Sequence, residues 1–489
     1  MPTSGRDAAT TPDPVAPGTL AAYGPGWERA VLLHVSVLVV GLSWWFGGQS
    51  PGARIALLVW STAGIALFFA AAGWGRRTGA DGTAPVRHLW PLLLFDVLVG
   101  LSCLNPSTVP VVREGEPMFM FTDPRWPGWP STARPDLTLR ELWQFNGIVL
   151  SCYNVFLVLG RRHLLRQLLV VLAANALVLA VFGTFQKLAG ATGLWFGAVA
   201  SPQKYFFATF VYHNHWGAFT VLNLAACLAL LFHALRRGGH RDTWHSPVPL
   251  GAVAILFIAA TAPLSGSRST TLLLALFLGG ALVHFAIQLV RRRRDRHEST
   301  LPIVAGVALA ALLALAAVLY LSRDVVRGRL RTTVEQIAEM RSEDERIPRG
   351  SLYIDTWRMV QDRPVFGWGL ESYGTAFRLY NTQRARELVF GQRYYREAHS
   401  DWLQSLAEVG FAGTLLLLLL GAAPLAGVRW RRVRSPVPAY LLAGGALVLL
   451  YAWVEFPLAN PAVMLGFWLT LYTAARYARA DVTAREEQR

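Results

Sequence analysis

Long apolar stretches recur along the chain, separated by short polar segments in which arginine is frequent. The hydrocarbon core of a bilayer is about 30 Å thick, and a helix needs about 20 apolar residues to cross it. By this criterion the sequence predicts an all-α polytopic membrane protein with about 12 transmembrane helices. The predicted spans are 30–48, 53–74, 89–105, 144–160, 165–186, 211–235, 247–264, 270–290, 301–322, 402–427, 438–456 and 460–478.

The arginines between the predicted spans indicate how the protein lies in the membrane. If the N-terminus is inside, five inner loops hold 18 arginines, whereas the short outer loops hold chiefly Arg54, Lys204 and Arg268. Because Lys and Arg are enriched in short cytoplasmic loops, both termini are predicted to be cytoplasmic. Residues 1–29, rich in Pro, Gly and Ala, are then a disordered cytoplasmic tail, and 479–489 form a second one.

Two of the predicted outer loops are long. The first is a periplasmic loop at about 106–143, within the region of helices 1–9 at 30–322. The second is a large periplasmic loop at 323–398, between helices 9 and 10, and helices 10–12 follow at 399–478.

The second loop is predicted to be partly helical. Residues 332–345 and 351–361 fit helices, and the latter ends before Pro364, which cannot continue a helix. The following Phe366-Gly367-Trp368-Gly369 predicts a tight turn against an aromatic surface. The loop is therefore expected to form a small folded lid.

Composition and charge exclude several classes of protein. Hydrophobic residues make up 53% of the chain and charged residues 16%, which excludes a disordered chain. A net charge of +16 would indicate nucleic-acid binding in a soluble protein, but here the loop pattern accounts for most of it. Cys103, Cys152 and Cys227 lie in apolar runs, so neither a disulfide framework nor a zinc site is predicted.

Two polar motifs lie at predicted outer ends of mid-chain spans. Tyr212-His213-Asn214-His215-Trp216-Gly217 opens the sixth span, where Asn214 is suited to capping the helix. Two His two residues apart do not share a helix face, so no metal pair is expected there. Ser265-Gly266-Ser267-Arg268 forms the turn between spans seven and eight, and an arginine beside a helix N-terminus can bind phosphate.

A third motif, Ala398-His399-Ser400-Asp401, lies where the large loop returns to the membrane. A neutral imidazole at the membrane surface can accept a proton from a hydroxyl group. Several arginines upstream predict a cationic outer cleft suited to a lipid-linked diphosphate, because arginine binds phosphate oxygens in a bidentate manner. These arginines are Arg346, Arg349, Arg358 and Arg363.

Taken in order, these segments resemble the bacterial O-antigen ligase and O-antigen polymerase superfamily over roughly 200–420. The resemblance is carried by Tyr212 to Ala218, Ser265 to Arg268, Asp362 to Gly369, and Ala398 to Gln404 with Glu408-Val409-Gly410. It implies a metal-independent inner-membrane glycosyltransferase without a cofactor. Such an enzyme moves a glycan from an undecaprenyl diphosphate carrier to an acceptor hydroxyl on the periplasmic face.

The resemblance also implies roles for individual residues. His399 falls on the family's histidine motif and would activate the acceptor, while Arg268 falls on its Ser-x-Ser-Arg turn and would bind the diphosphate. The arginine that pairs with Arg268 is either Arg346 or Arg349. Asp401 or Glu408 is expected to orient the histidine, and the further supporting residues are Asn214, His215 and Arg363.

The acceptor remains open at this point. A ligase transfers the glycan to lipid A–core, a polymerase for O-antigen, capsule or exopolysaccharide transfers it to another lipid-linked unit, and a protein O-oligosaccharyltransferase transfers it to a protein hydroxyl. A polytopic transporter or lipid flippase is the alternative from a different class. It would be expected to show internal repeats and paired broken helices near the bilayer midplane, whereas the polar motifs here cluster on one side.

Overall fold

A computed structural model describes residues 23–77, 86–113, 116–203, 205–237, 246–295, 349–382 and 395–486, with 297, 299, 305 and 306. Helices dominate these residues, which confirms the predicted all-α class. The helices are α1 (Pro25–Trp44), α2 (Pro51–Arg77), α3 (Trp90–Leu104), α4 (Pro135–Val158), α5 (Arg162–Leu188), α6 (His213–Arg237), α7 (Val248–Ser265), α8 (Arg268–Arg294), α9 (Arg349–Asp362), α10 (Tyr373–Ala376), α11 (Asp401–Ala422), α12 (Val437–Tyr451) and α13 (Pro461–Glu486).

Eight helices among the described residues are long and apolar enough to cross a membrane. They are α1, α2, α3 with the turn before it, α5, α6, α7, α8 and α11. Three further predicted spans coincide with α4 and α13, which are long but more polar, and with α12, which is apolar but has 15 residues. The predicted span 301–322 lies outside the described residues except for 305 and 306, so the count of twelve is not confirmed.

The polar side chains of α4 and α13 form hydrogen bonds inside the protein. Asn154 of α4 donates to the Gly64 carbonyl at 3.2 Å, and Asn146 donates to Asp96 at 2.8 Å. On α13, the buried Arg476 donates to the Leu159 carbonyl at 2.6 Å. Each polar group thus bonds to a neighbouring helix or its end, which is how polar side chains are accommodated within a membrane.

Three helices extend farthest into residues that the sequence assigns to loops or tails. Helix α4 begins at Pro135, inside the predicted loop 106–143, with a proline in its first turn and Asp136 beside it, both favourable at a helix start. Helix α13 continues to Glu486, into the predicted tail, and α1 begins at Pro25. Apolar span length alone could not locate these ends, because they are polar helix turns that continue beyond the apolar segment.

The first predicted outer loop carries the strands of the described residues. Strands β1 (Thr108–Arg113) and β2 (Glu116–Phe121) form an antiparallel hairpin with Thr108 opposite Phe121. Asn105, which precedes the hairpin, holds the chain that follows it. Its side-chain amide donates to the carbonyls of Trp126 and Pro130 at 3.0 and 3.1 Å. This loop then contacts the second one, since the Ala133 amide donates to the Trp368 carbonyl at 2.9 Å.

Helix α11 is interrupted at Gly410, and the second loop fills the interruption. Gly410 has φ 65° and ψ −172°, outside the helical region. The freed amides of Phe411 and Ala412 donate to the carbonyls of Pro364 and Val365 at 2.8 and 3.0 Å. In return, Trp368 and Gly369 donate to the carbonyls of Ala407 and Glu408 at 2.9 and 2.8 Å.

The segment 364–369 therefore docks on α11 as a short backbone ladder. The sequence predicts a tight turn against an aromatic surface for Phe366 to Gly369. In the structure the Trp368 ring of this turn contacts Phe121 and Tyr380, and its backbone also pairs with the opened backbone of α11. Non-helical backbone within a membrane protein requires such internal partners, because lipid supplies none. The Glu408 carboxylate strengthens the junction by accepting from the amides of Glu371 and Tyr373 at 3.0 and 3.2 Å.

Candidate active site

His399 lies at the end of the large loop, two residues before the first residue of α11. Ser400 caps this helix: its hydroxyl accepts from the Leu403 amide at 3.4 Å and donates to the Ala452 carbonyl at 3.3 Å. The backbone of His399 has φ 53°, in the left-handed region, and its carbonyl accepts from the Tyr353 hydroxyl of α9 at 3.0 Å. The cap and the tyrosine together fix where the imidazole is presented.

The ring of Phe456 brings His399 together with the motif that opens α6. Phe456 lies in the turn between α12 and α13, and its centroid is 4.7 Å from the ring of His399 in an edge-to-face contact. It makes a similar contact with His215 at 5.2 Å and stacks on Tyr212 at 5.5 Å. Two segments nearly 190 residues apart in the sequence thus meet at one aromatic side chain.

Asn214 connects this aromatic cluster to the turn that carries Arg268. The Ser267 hydroxyl donates to the Asn214 side-chain oxygen at 2.6 Å, and the Asn214 amide donates to the Tyr212 hydroxyl at 2.8 Å. Asn214 lies in the first turn of α6, which begins at His213, so its side chain bonds to another helix rather than capping its own. Gly217 permits this approach, because a Cβ there would lie 2.3 Å from the Thr270 hydroxyl of α8.

The chain of hydrogen bonds ends on Glu455, which was not among the predicted site residues. The Tyr212 hydroxyl donates to the Glu455 carboxylate at 3.2 Å, and the Glu455 side chain is buried beside Phe456. Its backbone carbonyl accepts from the Asp401 amide at 3.2 Å, next to His399. An acidic residue at the end of an apolar helix was the available signal, since ionisable residues near membrane depth tend to be functional.

Asp401 and Glu408 accept hydrogen bonds from backbone amides in the described structure, and their expected role in orienting the histidine stays a prediction. The Asp401 carboxylate accepts from the Leu458 amide at 2.8 Å and so holds the turn that carries Glu455 and Phe456. The Glu408 carboxylate binds the amides of the second loop. Asp401 therefore supports the site through the backbone of its neighbouring turn.

Arg268 and Arg349 occupy equivalent places on two helices that border the cluster. Arg268 is exposed and is the first residue of α8, directly after Ser267. Arg349 is the first residue of α9, one turn before Tyr353, which bonds to His399. The partial positive charge at a helix N-terminus favours anions at both positions. Arg346 lies outside the described residues.

Arg363 instead lies within the loop structure. Its guanidinium donates to the Ser131 hydroxyl at 2.7 Å and lies 3.8 Å from the centroid of the Trp368 ring. Burial lowers the pKa of Arg363, while the nearby Tyr380 and Asp362 act in the opposite direction. These contacts join the two predicted outer loops next to the segment 364–369 that docks on α11.

The imidazoles near Phe456 raise the question of a metal. Among the described residues, no group of three or more His, Cys, Asp or Glu side chains is arranged to hold a metal ion. The predicted absence of a metal and of a cofactor stays a prediction. What the arrangement offers chemically is an imidazole, a buried carboxylate and two helix N-termini that each begin with an arginine.

Comparison with known proteins identifies the segment that contains most of these groups. No curated protein matches the chain. A family model described as O-antigen ligase matches residues 252–418, which run from α7 to α11 and include Arg268, Arg349 and His399. The match supports a membrane enzyme of the ligase or polymerase type. The match over residues 252–418 thus supports the predicted resemblance to the O-antigen ligase superfamily.

Proposed function

We propose that this protein transfers a glycan from undecaprenyl diphosphate to an acceptor hydroxyl at the outer face of a bacterial inner membrane. The observation that carries the proposal is the hydrogen-bonded chain from Ser267 through Asn214 and Tyr212 to Glu455, next to the ring that holds His399. This chain joins the turn that carries Arg268 to the segment that carries the imidazole. This arrangement supports the assignment of a phosphate-binding group and a general base to one end of the helices.

The proposed reaction assigns one task to each group. His399 accepts the proton of the acceptor hydroxyl, whose oxygen attacks the anomeric carbon of the glycan. The bond between that carbon and the diphosphate oxygen breaks, and the diphosphate remains on the lipid with an additional negative charge. Arg268, together with Arg349 or Arg346, offsets this charge as it develops, which lowers the barrier. The product is the transferred glycan and the free lipid diphosphate.

The experiment that tests this function is reconstitution of the full chain in proteoliposomes with an undecaprenyl-diphosphate-linked glycan. Transfer of the glycan to an added acceptor, without movement of solute across the bilayer, is the expected result. Separate acceptors distinguish the three chemistries: lipid A–core, a second lipid-linked unit, and a hydroxyl-bearing protein. Movement of lipid or solute with no new glycosidic bond would show a transporter or flippase instead.

Arg268→Lys should reduce transfer while leaving the protein folded. Lysine keeps the charge but loses the planar pair of donors that binds two phosphate oxygens at once. We expect a loss of about 10-fold for lysine and roughly 100-fold or more for alanine, the range seen when a transition-state donor is removed. The measurement is the initial rate of transfer at several donor concentrations.

The matched control for this prediction is Arg125→Lys. Arg125 is an exposed arginine of the first outer loop, whose guanidinium lies 5.4 Å from the ring centroid of Trp126. Its replacement should leave transfer unchanged. Equal rates for Arg268→Lys and the unmodified protein would remove Arg268 from the diphosphate site.

Glu455→Gln should slow transfer without disturbing the cluster. Glutamine can still accept from the Tyr212 hydroxyl, so the hydrogen bond is retained while the negative charge is lost. If the carboxylate stabilises the protonated imidazole that forms during transfer, the rate should fall roughly 10- to 100-fold, or about 1.4 to 2.7 kcal/mol. Asp123→Asn, which neutralises an exposed carboxylate of the first outer loop, is the control. An unchanged rate in Glu455→Gln would make this glutamate purely structural.

A further inference from the structure

Helix α9 has two unlike faces. On one face Leu352, Thr356, Met359 and Val360 are buried; Leu352, Met359 and Val360 belong to a cluster that includes Trp368. On the other face Ile354 is 57% exposed and Trp357 is 43% exposed. These two residues are three apart and so lie side by side on the helix surface. The exposed face therefore presents Ile354 and Trp357 as an apolar pair, flanked by the exposed polar residues Arg358 and Gln361.

Directly after α9, the chain reaches the apolar surface of α11. Val365 is 53% exposed and its carbonyl accepts from the Ala412 amide, next to Phe411, which is also 53% exposed. Below Phe411 on the same helix, Leu415 and Leu418 are exposed at spacings of four and three residues. An outward apolar stripe on a helix long enough to cross a membrane faces lipid. The chain that follows α9 thus brings the exposed Val365 to that stripe.

The N-terminal part of α9 adjoins a second such surface. The Tyr353 hydroxyl lies 3.5 Å from the Val454 carbonyl, at the end of α12. Val454 is 46% exposed and Trp453 is 56% exposed, with the ring of Trp453 stacked on Trp402 at 5.6 Å. Exposed tryptophan rings at the ends of membrane helices are typical of the headgroup region. Both ends of α9 therefore lie close to surfaces that belong at the membrane boundary.

We propose that Ile354 and Trp357 insert into the outer leaflet, so that α9 lies along the boundary between headgroups and acyl chains. The partner is the lipid bilayer, and the proposal does not depend on the proposed reaction. Arg358, adjacent to Trp357 and paired with Asp355 at 3.3 Å, lies on the polar flank where lipid phosphates are found. Because Tyr353 also bonds to the His399 carbonyl, the depth of α9 in the membrane sets the depth of the imidazole.

The test places a fluorescent label on α9 and measures its quenching by lipid-borne and aqueous quenchers. Cysteine is introduced by Ile354→Cys, Trp357→Cys or Arg358→Cys in a full chain whose Cys103 is replaced by serine. The labelled proteins are incorporated in phospholipid nanodiscs. Labels at 354 and 357 should be quenched at least about two-fold more by acyl-chain doxyl lipids than the label at 358. Aqueous iodide should show the reverse order. The chain without an added cysteine reports any background from the buried Cys152 and Cys227.

Two outcomes would overturn the proposal. Equal iodide quenching at 354, 357 and 358 would place the whole helix in water. Protection of 354 and 357 from both quenchers would show that protein covers this face. If the cysteine variants do not fold, the unmodified chain can be photolysed with an acyl-chain diazirine phospholipid. Labelling of the peptide containing Ile354 and Trp357, besides that of Leu415, is then expected, and labelling of Leu415 alone would contradict the proposal.

Discussion

Replacing His399 by asparagine should reduce glycan transfer roughly 100- to 10,000-fold, the usual range for loss of a positioned general base. Asparagine is the informative substitution because His399 has φ 53°, and asparagine tolerates the left-handed region better than alanine does. It also keeps a planar polar group in contact with Phe456. The loss should therefore reflect chemistry rather than misfolding. The measurement is the rate of transfer by purified protein in proteoliposomes.

The pH dependence of the residual activity supplies a second readout. An imidazole base works only when it is unprotonated, so the rate of the unmodified protein should fall as the solution becomes more acidic. The residual activity of His399→Asn should lose that dependence. His213→Asn is the control, because His213 lies on the same cluster but contacts Tyr212 and Tyr205 rather than Phe456. Normal transfer by His399→Asn with normal expression would show that the base is another group.

The lengths of the apolar runs predict much of the fold. The same criterion cannot predict which helices are central or where a helix is interrupted. All eleven predicted spans that fall within the described residues coincide with a helix. Apolar length does not show which helices are central, because α4 and α13 use polar residues such as Asn154 and Arg476 to bind their neighbours. Nor does apolar length show that α11 is interrupted at Gly410. A single glycine is common within apolar membrane helices, so its presence does not predict an interruption.

The sequence identifies those residues of the candidate site that lie in a motif at a helix start. It does not identify the residues that reach the site only through contacts between distant segments. His399 and Arg268 stand out as polar residues at the ends of apolar runs. Arg363 stands out equally in the sequence, but in the structure it contacts Ser131 and Trp368. The sequence could not predict this, because it does not distinguish a cation that faces a cleft from one that joins two loops. Glu455 and Phe456 were missed because only the return of α12 beside α6 brings them to Tyr212.

The docking of the second loop on α11 explains why three glycines are needed near the site. Gly367 and Gly369 have φ 68° and 102°, and Gly410 has φ 65°. A Cβ on Gly367 would lie 2.4 Å from the Glu408 carbonyl carbon, and one on Gly410 would lie 2.2 Å from the Val365 oxygen. Both contacts are with backbone on the opposite side of the ladder, so neither atom can rotate away. The ladder thereby holds together α9 and α11, the two helices that position the histidine of the candidate active site.

Gly410→Ala should therefore disrupt the protein more than any single substitution at the proposed catalytic groups. Its backbone, with ψ −172°, occupies a region almost exclusive to glycine, which costs other residues about 1 to 3 kcal/mol before any steric conflict. With the clash added, we expect more than about 3 kcal/mol of destabilisation and little folded protein in size-exclusion and thermal-unfolding measurements.

Gly427→Ala is the matched control, since Gly427 has φ 77° but no atom within 4 Å of the added Cβ. It should lose only about 1 kcal/mol, the backbone contribution alone. Similar thermal stability of the two variants would mean that the ladder between residues 364–369 and α11 contributes little, and that α11 can pass Gly410 as a regular helix.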